Sequence, residues 1–182
     1  SDVVLEQAFM SYDLGEGLSL TMGKFLSASG WETAEPTGLY QYSTSATLVY
    51  GGYQHGAALA YSTEKFGAYG SIVSSVWDGT ETSAEEIGFE GQLILTPTEQ
   101  ITSKVAYLYE DFGAFSTSLI NAWASYGQGP LTLAAEVNLL SNWQADGNDG
   151  TGFLAMVNYG LNDKVGITGR FSSLDTDVAG TI

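Results

Sequence analysis

The amino-acid sequence predicts an all-β fold: an antiparallel up-and-down transmembrane β-barrel, with about ten strands in 182 residues. Three observations predict it. Apolar residues alternate with small or polar ones in segments about ten residues long, the connections between segments are alternately tight and long, and charge is scarce. The alternation is clearest in Leu131-Thr132-Leu133-Ala134-Ala135-Glu136-Val137-Asn138-Leu139, where odd positions are all apolar and even ones include a carboxylate and an amide. A strand sends successive side chains to opposite faces, so such a segment parts an apolar face from a wet one. Only 14% of residues are charged, against about 25% in a typical soluble domain. Gly, Tyr, Ser and Thr fill the space, as expected where one face of every strand meets hydrocarbon and the other meets water.

The strand pattern lies near residues 4–12, 18–26, 48–62, 67–77, 86–95, 101–110, 116–126, 131–141, 152–161 and 165–173. One parity carries Phe89, Leu93 and Leu95, then Val105, Tyr107 and Tyr109, then Phe153, Val157 and Tyr159, then Val165, Ile167 and Phe171. The other carries Glu90, Gln92, Thr102, Lys104, Asn158, Thr168 and Arg170. The first segment is poorly phased, and those at 67–77 and 116–126 are mostly small residues, so their faces stay open. Lys24 shares the apolar parity of Leu18, Leu20 and Met22. Either a bulge at Gly23 resets the register, or the side chain snorkels to an interface. His55, the single histidine, shares a face with Tyr53, Ala57, Leu59 and Tyr61 and is expected to point outward.

Tight turns are read at residues 13–17, 62–65, 96–100, 127–130 and 162–164, and longer connections at 27–47, 78–85, 111–115, 142–151 and from 174 onward. An antiparallel meander puts alternate connections at opposite ends. One end is therefore trimmed and the other elaborated, the asymmetry of an outer-membrane barrel. The connection at 27–47, with Gly30, Pro36, Gly38 and three aromatics, either folds into the lumen as a constriction or stays exposed. Trp31, Trp77, Trp123 and Trp143 fall near strand ends, where an amphipathic ring suits a bilayer interface. No apolar run approaches the roughly 18 residues of a membrane-spanning helix, and the chain has no cysteine.

The formal net charge is −16, from 21 acids and 5 bases. Phosphate binding needs clustered Lys and Arg, so nucleic acid is excluded as a partner. The long connections carry Glu32, Glu35, Asp78, Glu81, Asp146 and Asp149 and no Lys or Arg, which is read as an acidic outer mouth that attracts cations. On the wet parity, Glu90, Gln92, Lys104, Glu136, Asn138, Asn158 and Arg170 are the candidate pore-lining residues. Their charges either create a transverse field across a lumen or simply pair with each other. No nucleophile, base and orienting group gather in the pattern as a hydrolase needs, so no catalytic residue is assigned and no enzyme is expected. Asp146-Gly147-Asn148-Asp149-Gly150-Thr151 has oxygen ligands at alternate positions but lacks the closing bidentate Glu of a calcium loop. Gly127-Gln128-Gly129-Pro130 lacks the helix and lysine of a phosphate loop. No cofactor and no metal are expected.

Several phrases together resemble a known family. Leu5-Glu6-Gln7-Ala8-Phe9-Met10-Ser11-Tyr12, then Leu18-Ser19-Leu20-Thr21-Met22-Gly23-Lys24-Phe25, Gly30-Trp31-Glu32 and the later Gly91-Gln92-Leu93-Ile94-Leu95-Thr96-Pro97-Thr98, are similar to the OmpL-like β-barrel porins of bacterial outer membranes. The resemblance implies a passive diffusion channel in the outer membrane, in contact with its lipid and admitting small hydrophilic solutes. The acidic mouth makes it cation-favouring. A homo-oligomer is compatible with it. Strand directions put both ends of the chain at the elaborated end, so residues 1–182 are expected to be one barrel domain, an internal portion of a porin of at least about twelve strands. Two other readings stay open: a structural or surface-interaction barrel without transport, and a soluble secreted β-sandwich that binds ligand.

Overall fold

The computed structural model describes residues 5–32, 40, 49–78, 80 and 87–177. They form ten strands: β1 (Ala8–Gly15), β2 (Leu18–Leu26), β3 (Tyr53–Ser62), β4 (Phe66–Val73), β5 (Gly88–Thr98), β6 (Ile101–Asp111), β7 (Ser116–Gln128), β8 (Leu131–Ser141), β9 (Gly150–Asn162) and β10 (Val165–Thr176). Each pairs antiparallel with its sequence neighbour in a single sheet of order β1 to β10, so the fold is the expected up-and-down meander and not two packed sheets. β1 and β10 form the two edges; the sheet does not close on itself.

The trimmed end is built as the turn chemistry requires. Glu16 and Gly17 both have positive φ, 53° and 82°, the two-residue turn whose twist matches that of the flanking strands. A Cβ on Gly17 would fall 2.2 Å from the Ser62 carbonyl oxygen, so the residue must be glycine. At residues 63–65 the Thr63 hydroxyl accepts from Phe66 N–H at 3.0 Å, while Thr63 N–H donates to the Phe66 carbonyl at 2.7 Å.

The two faces of the sheet differ as the parity predicts. Ile72, Leu93, Val105, Ile120, Val137 and Val157 stand exposed on the outer face. Leu108, Leu119 and Leu154 are fully buried on the inner one, beside Gln54, Glu90, Glu136 and Asn138. The two segments with unassigned faces now have them: Ser71 and Val73 in β4, and Thr117, Leu119 and Asn121 in β7, face inward. One core cluster joins Phe25 of β2, Val73 of β4, Leu108 of β6, Leu119 of β7 and Leu140 of β8, so the sheet curls around its inner face. Val49, Tyr50, Val76 and Trp143 from the long connections fill the middle of that cluster.

Several boundaries move, each for a physical reason. Residues 49–52 are not strand: Val49 and Tyr50 turn into the core instead. β4 stops at Val73 because the Val76 and Trp77 N–H groups are taken by the Glu110 carboxylate, at 2.9 and 3.3 Å. β10 continues to Thr176 because β9 begins at Gly150 and supplies partners along that length. Gly23 makes no bulge. The β2–β3 register runs unbroken from Leu18–Tyr61 to Leu26–Tyr53, with Lys24 opposite His55, so both keep the outer parity.

Close backbone approach makes a testable demand at Gly56, where a Cβ would lie 2.1 Å from the Ile72 carbonyl oxygen. Gly56→Ala is expected to destabilise the fold by about 1–3 kcal/mol, read as a lower urea midpoint of the refolded protein in detergent. Gly67→Ala, whose Cβ would meet Ile94 at an ordinary 3.5 Å, should leave that midpoint almost unchanged.

Candidate functional site

The connection between β2 and β3 does not stay outside. Ser27 N–H donates to the Gly52 carbonyl at 2.9 Å, closing its two ends together, and residues 27–32 then cross the inner face as a strap. An irregular segment must find partners for its backbone polar groups, and here the wall supplies them strand by strand. Ser27 Oγ donates to Glu90 Oε1 of β5. Lys104 of β6 donates its ammonium to the Ala28 carbonyl. Gly30 N–H reaches Asn121 Oδ1 of β7 at 3.1 Å, and Trp31 N–H reaches Glu136 Oε2 of β8 at 2.5 Å. Arg170 of β10 grips Glu32 with two parallel bonds, Nε to Oε1 at 2.5 Å and Nη2 to Oε2 at 2.8 Å, the geometry in which Arg binds carboxylate most strongly. Five residue steps span at most about 17 Å, while β5 and β10 would lie about 24 Å apart in a flat sheet. The Glu90, Glu32 and Arg170 side chains supply the remaining reach across the curled wall.

Glu136 is the centre of this arrangement. Besides Trp31 N–H it accepts from Tyr50 Oη and from Asn138 Nδ2 at 2.7 Å, and Asn138 Oδ1 in turn accepts from Asn121 Nδ2 at 2.7 Å. Burial, with the Glu136 carboxylate next to it, raises the Tyr50 phenol above its ordinary value near 10, so the phenol stays a donor. Glu90 has a second donor in Gln54 Nε2 at 2.8 Å. Lys104 also lies over the Trp123 ring, 5.3 Å from its centroid. Trp31 meets the same ring edge to face at 5.2 Å and packs against Ala134, Leu154 and Met156. Gly30 makes the turn possible, since a Cβ there would fall 2.3 Å from the Tyr50 ring. A cavity of about 540 Å³ remains beside the strap, walled by Tyr50, Trp77, Lys104 and Trp143 among others.

The structure places the candidate pore-lining residues Glu90, Gln92, Lys104, Glu136 and Asn138 on the inner face, all buried. Asn158 and Arg170 are there too, half-buried. Arg170 is engaged by Glu32 and Lys104 by the Ala28 carbonyl of the strap, with Glu90 and Glu136 near enough to attract the ammonium. Glu32 is not at an open rim, because its pairing with Arg170 draws it to 5% exposure on the inner face. Asp78, Asp146 and Asp149 are exposed on the long-connection end, and Glu35 and Glu81 lie outside the described residues. In residues 142–150 the Asp149 carboxylate accepts from Asn142 N–H at 3.0 Å, and Asn148 Nδ2 donates to the Trp143 carbonyl at 2.6 Å. These ligand-like side chains therefore shape their own loop. Among the described residues no three His, Asp or Glu side chains gather as a metal site.

Sequence reasoning missed Ser27, Tyr50, Gln54, Glu110 and Asn121. Asn121 carried a usable signal, an amide on the parity of Thr117, Leu119 and Trp123; Tyr50 carried none, because its role depends on a chain reversal.

Residues 1–176 match the family described as "Putative beta-barrel porin-2, OmpL-like". No curated protein and no solved structure matches the chain.

Removing the acceptor that holds Trp31 should free the strap. Glu136→Gln replaces one acceptor oxygen with a donor and leaves buried N–H and O–H groups unmatched, a cost of about 1–3 kcal/mol; chymotrypsin is expected to cut near Trp31 faster than in the unmodified protein, and Glu99→Gln on an exposed turn should not change the rate. The Tyr50 contribution has a defined pH sense. With a folded phenol pKa above the unfolded value, its stabilisation is complete below pH 10 and is lost as pH rises further, so the urea midpoint should show no Tyr50-dependent change from pH 7 to 9 and fall above 10, and Tyr50→Phe should remove that fall.

Proposed function

The chain belongs to the OmpL-like β-barrel porin family, and from that premise we propose that it is a passive diffusion channel of the bacterial outer membrane, open to small hydrophilic solutes and favouring cations. The observation that carries this reading is the outer face. Leu59, Ile72, Leu93, Val105, Ile120, Leu139, Phe153, Ile167 and Phe171 are exposed across eight of the strands, a continuous apolar surface far beyond what a protein in water leaves uncovered and one that lipid would cover.

The sheet edges add a requirement. In hydrocarbon every backbone N–H and C=O needs a partner, so β1 and β10 would be completed by further strands, and residues 1–182 would be one barrel domain within a larger wall. Charge supports the cation preference. Lys104 and Arg170, the bases on the inner face, are already engaged by Ala28 and Glu32, while Asp78, Asp146 and Asp149 remain exposed at the mouth. Passage is diffusion past the strap through a bore set by its position; no bond is made or broken.

A second reading, a structural barrel without transport, draws on one observation, that the strap and its aromatic neighbours cover much of the inner wall. Planar-bilayer recording separates the two. A channel should give discrete conductance steps and, in a KCl gradient, a reversal potential of the sign for K⁺ over Cl⁻; anion selectivity would sink the cation preference, and silence would favour the structural barrel. Membrane exposure has its own test at Leu93, 54% exposed on the outer face of β5. Leu93→Arg is expected to cost about 2–4 kcal/mol in folding into lipid vesicles if the site lies near the bilayer midplane, and close to nothing if the face is bathed in water.

A further inference from the structure

At the elaborated end, three connections bring aromatic rings to one place. Trp77 follows β4, Phe112 and Phe115 join β6 to β7, and Trp143 follows β8; together with Thr117 and Gln144 they line a cleft of about 300 Å³. The rings are fixed rather than loose. Trp77 meets Trp143 edge to face at 5.6 Å, Phe112 meets Phe115 at 5.5 Å, and the Trp77 indole N–H donates to the Val49 carbonyl at 3.1 Å. Glu110, fully buried, accepts from the Trp77 backbone N–H at 3.3 Å and so sets where that ring begins. Trp77, Trp143 and Gln144 also line the cavity of about 540 Å³ beside the strap, so the two spaces adjoin.

The charge around these rings is of one sign. Asp78 is adjacent in sequence to Trp77, Asp111 is adjacent to Phe112, and Asp146 lies three residues past Trp143. All three are exposed, and no long connection carries a Lys or Arg. An aromatic face attracts a cation through its quadrupole, and rings arranged around a void are suited to a quaternary or alkylated ammonium, whose bulk needs apolar walls and whose charge needs no hydrogen-bond acceptor. Exposed acids next to these rings in sequence add long-range attraction without having to touch the ligand. A small metal cation, which must shed tightly held water to meet ring faces, gains less from this cleft, and an anion meets repulsion.

We propose that the Trp77–Phe112–Phe115–Trp143 cleft is a binding site for organic ammonium ions, placed where solute enters from the elaborated end toward the strap. The proposal deepens the channel reading and rests on it for the route, but not for the binding itself.

The test uses the whole chain folded in detergent, with choline as probe and 3,3-dimethylbutan-1-ol, its uncharged carbon analogue, as control. Choline is expected to change tryptophan emission saturably, with the neutral analogue about tenfold weaker. Phe112→Leu with Phe115→Leu, which keeps the site apolar but removes two ring faces, should weaken choline about tenfold, while Asp78→Asn with Asp111→Asn should weaken it less and mainly at low salt. Equal response to charged and neutral probes would overturn the proposal in favour of a merely apolar cleft. So would the absence of any saturable response, or choline binding unchanged in the Phe112/Phe115 variant. Conductance without choline binding would remove the site and leave the channel; choline binding without conductance would do the reverse.

Discussion

The structure depends on buried wall carboxylates receiving the backbone of the strap. An unpaired carboxylate on the inner face would be costly to bury, and an irregular backbone segment crossing that face would leave N–H groups unmet. Each problem is solved by the other. Glu136 takes Trp31 N–H, Tyr50 Oη and Asn138 Nδ2; Glu90 takes Ser27 Oγ and Gln54 Nε2. The wall acids are therefore to be read together with a loop far away in sequence.

The bilayer-type inversion of a barrel is incomplete here. The outer face is predominantly apolar, but the inner one is mixed, with Leu108, Leu119 and Leu140 buried among Gln54, Glu110 and Asn121. The mixture follows from what covers it. Toward the elaborated end, Val49, Val76 and Trp143 pack on the leucines as an ordinary core; under the strap, polar wall residues are needed because the strap presents backbone as well as side chains. A purely hydrophilic inner face would suit an open pore, and a purely apolar one would strand the polar backbone of the strap.

Much of this was legible in the sequence. Strand number, order, the tight turns and the outward parity of β5, β6, β8, β9 and β10 follow from period-two alternation, because that pattern is local. The faces of β4 and β7 were not legible, since Gly67, Ala68, Gly70, Ser71 and Ala122, Ala124, Ser125 carry too little contrast in polarity. The site was half legible. Parity alone puts Glu90, Lys104, Glu136 and Arg170 on one face, but their partners Ala28, Trp31, Glu32 and Tyr50 sit in a connection whose path is set by tertiary closure rather than by any repeating pattern.

That difference changes what the inner charges can do. A charged side chain selects ions only while its field is not already compensated nearby. Arg170 faces Glu32 in two hydrogen bonds, Lys104 is held between a carbonyl and an indole face, and both wall glutamates are saturated on at least one oxygen by the strap and its neighbours. The Arg170–Glu32 pair is a short-range dipole, whereas Glu90, Glu110 and Glu136 outnumber Lys104, so the inner face keeps a negative formal charge. Further acids, Asp78, Asp111, Asp146 and Asp149, stand exposed at the elaborated end, where wide spacing and solvent screening give attraction but little discrimination. In the proposed channel, discrimination among cations would then fall to the shape and ring faces of the space between Trp77, Trp143 and the strap.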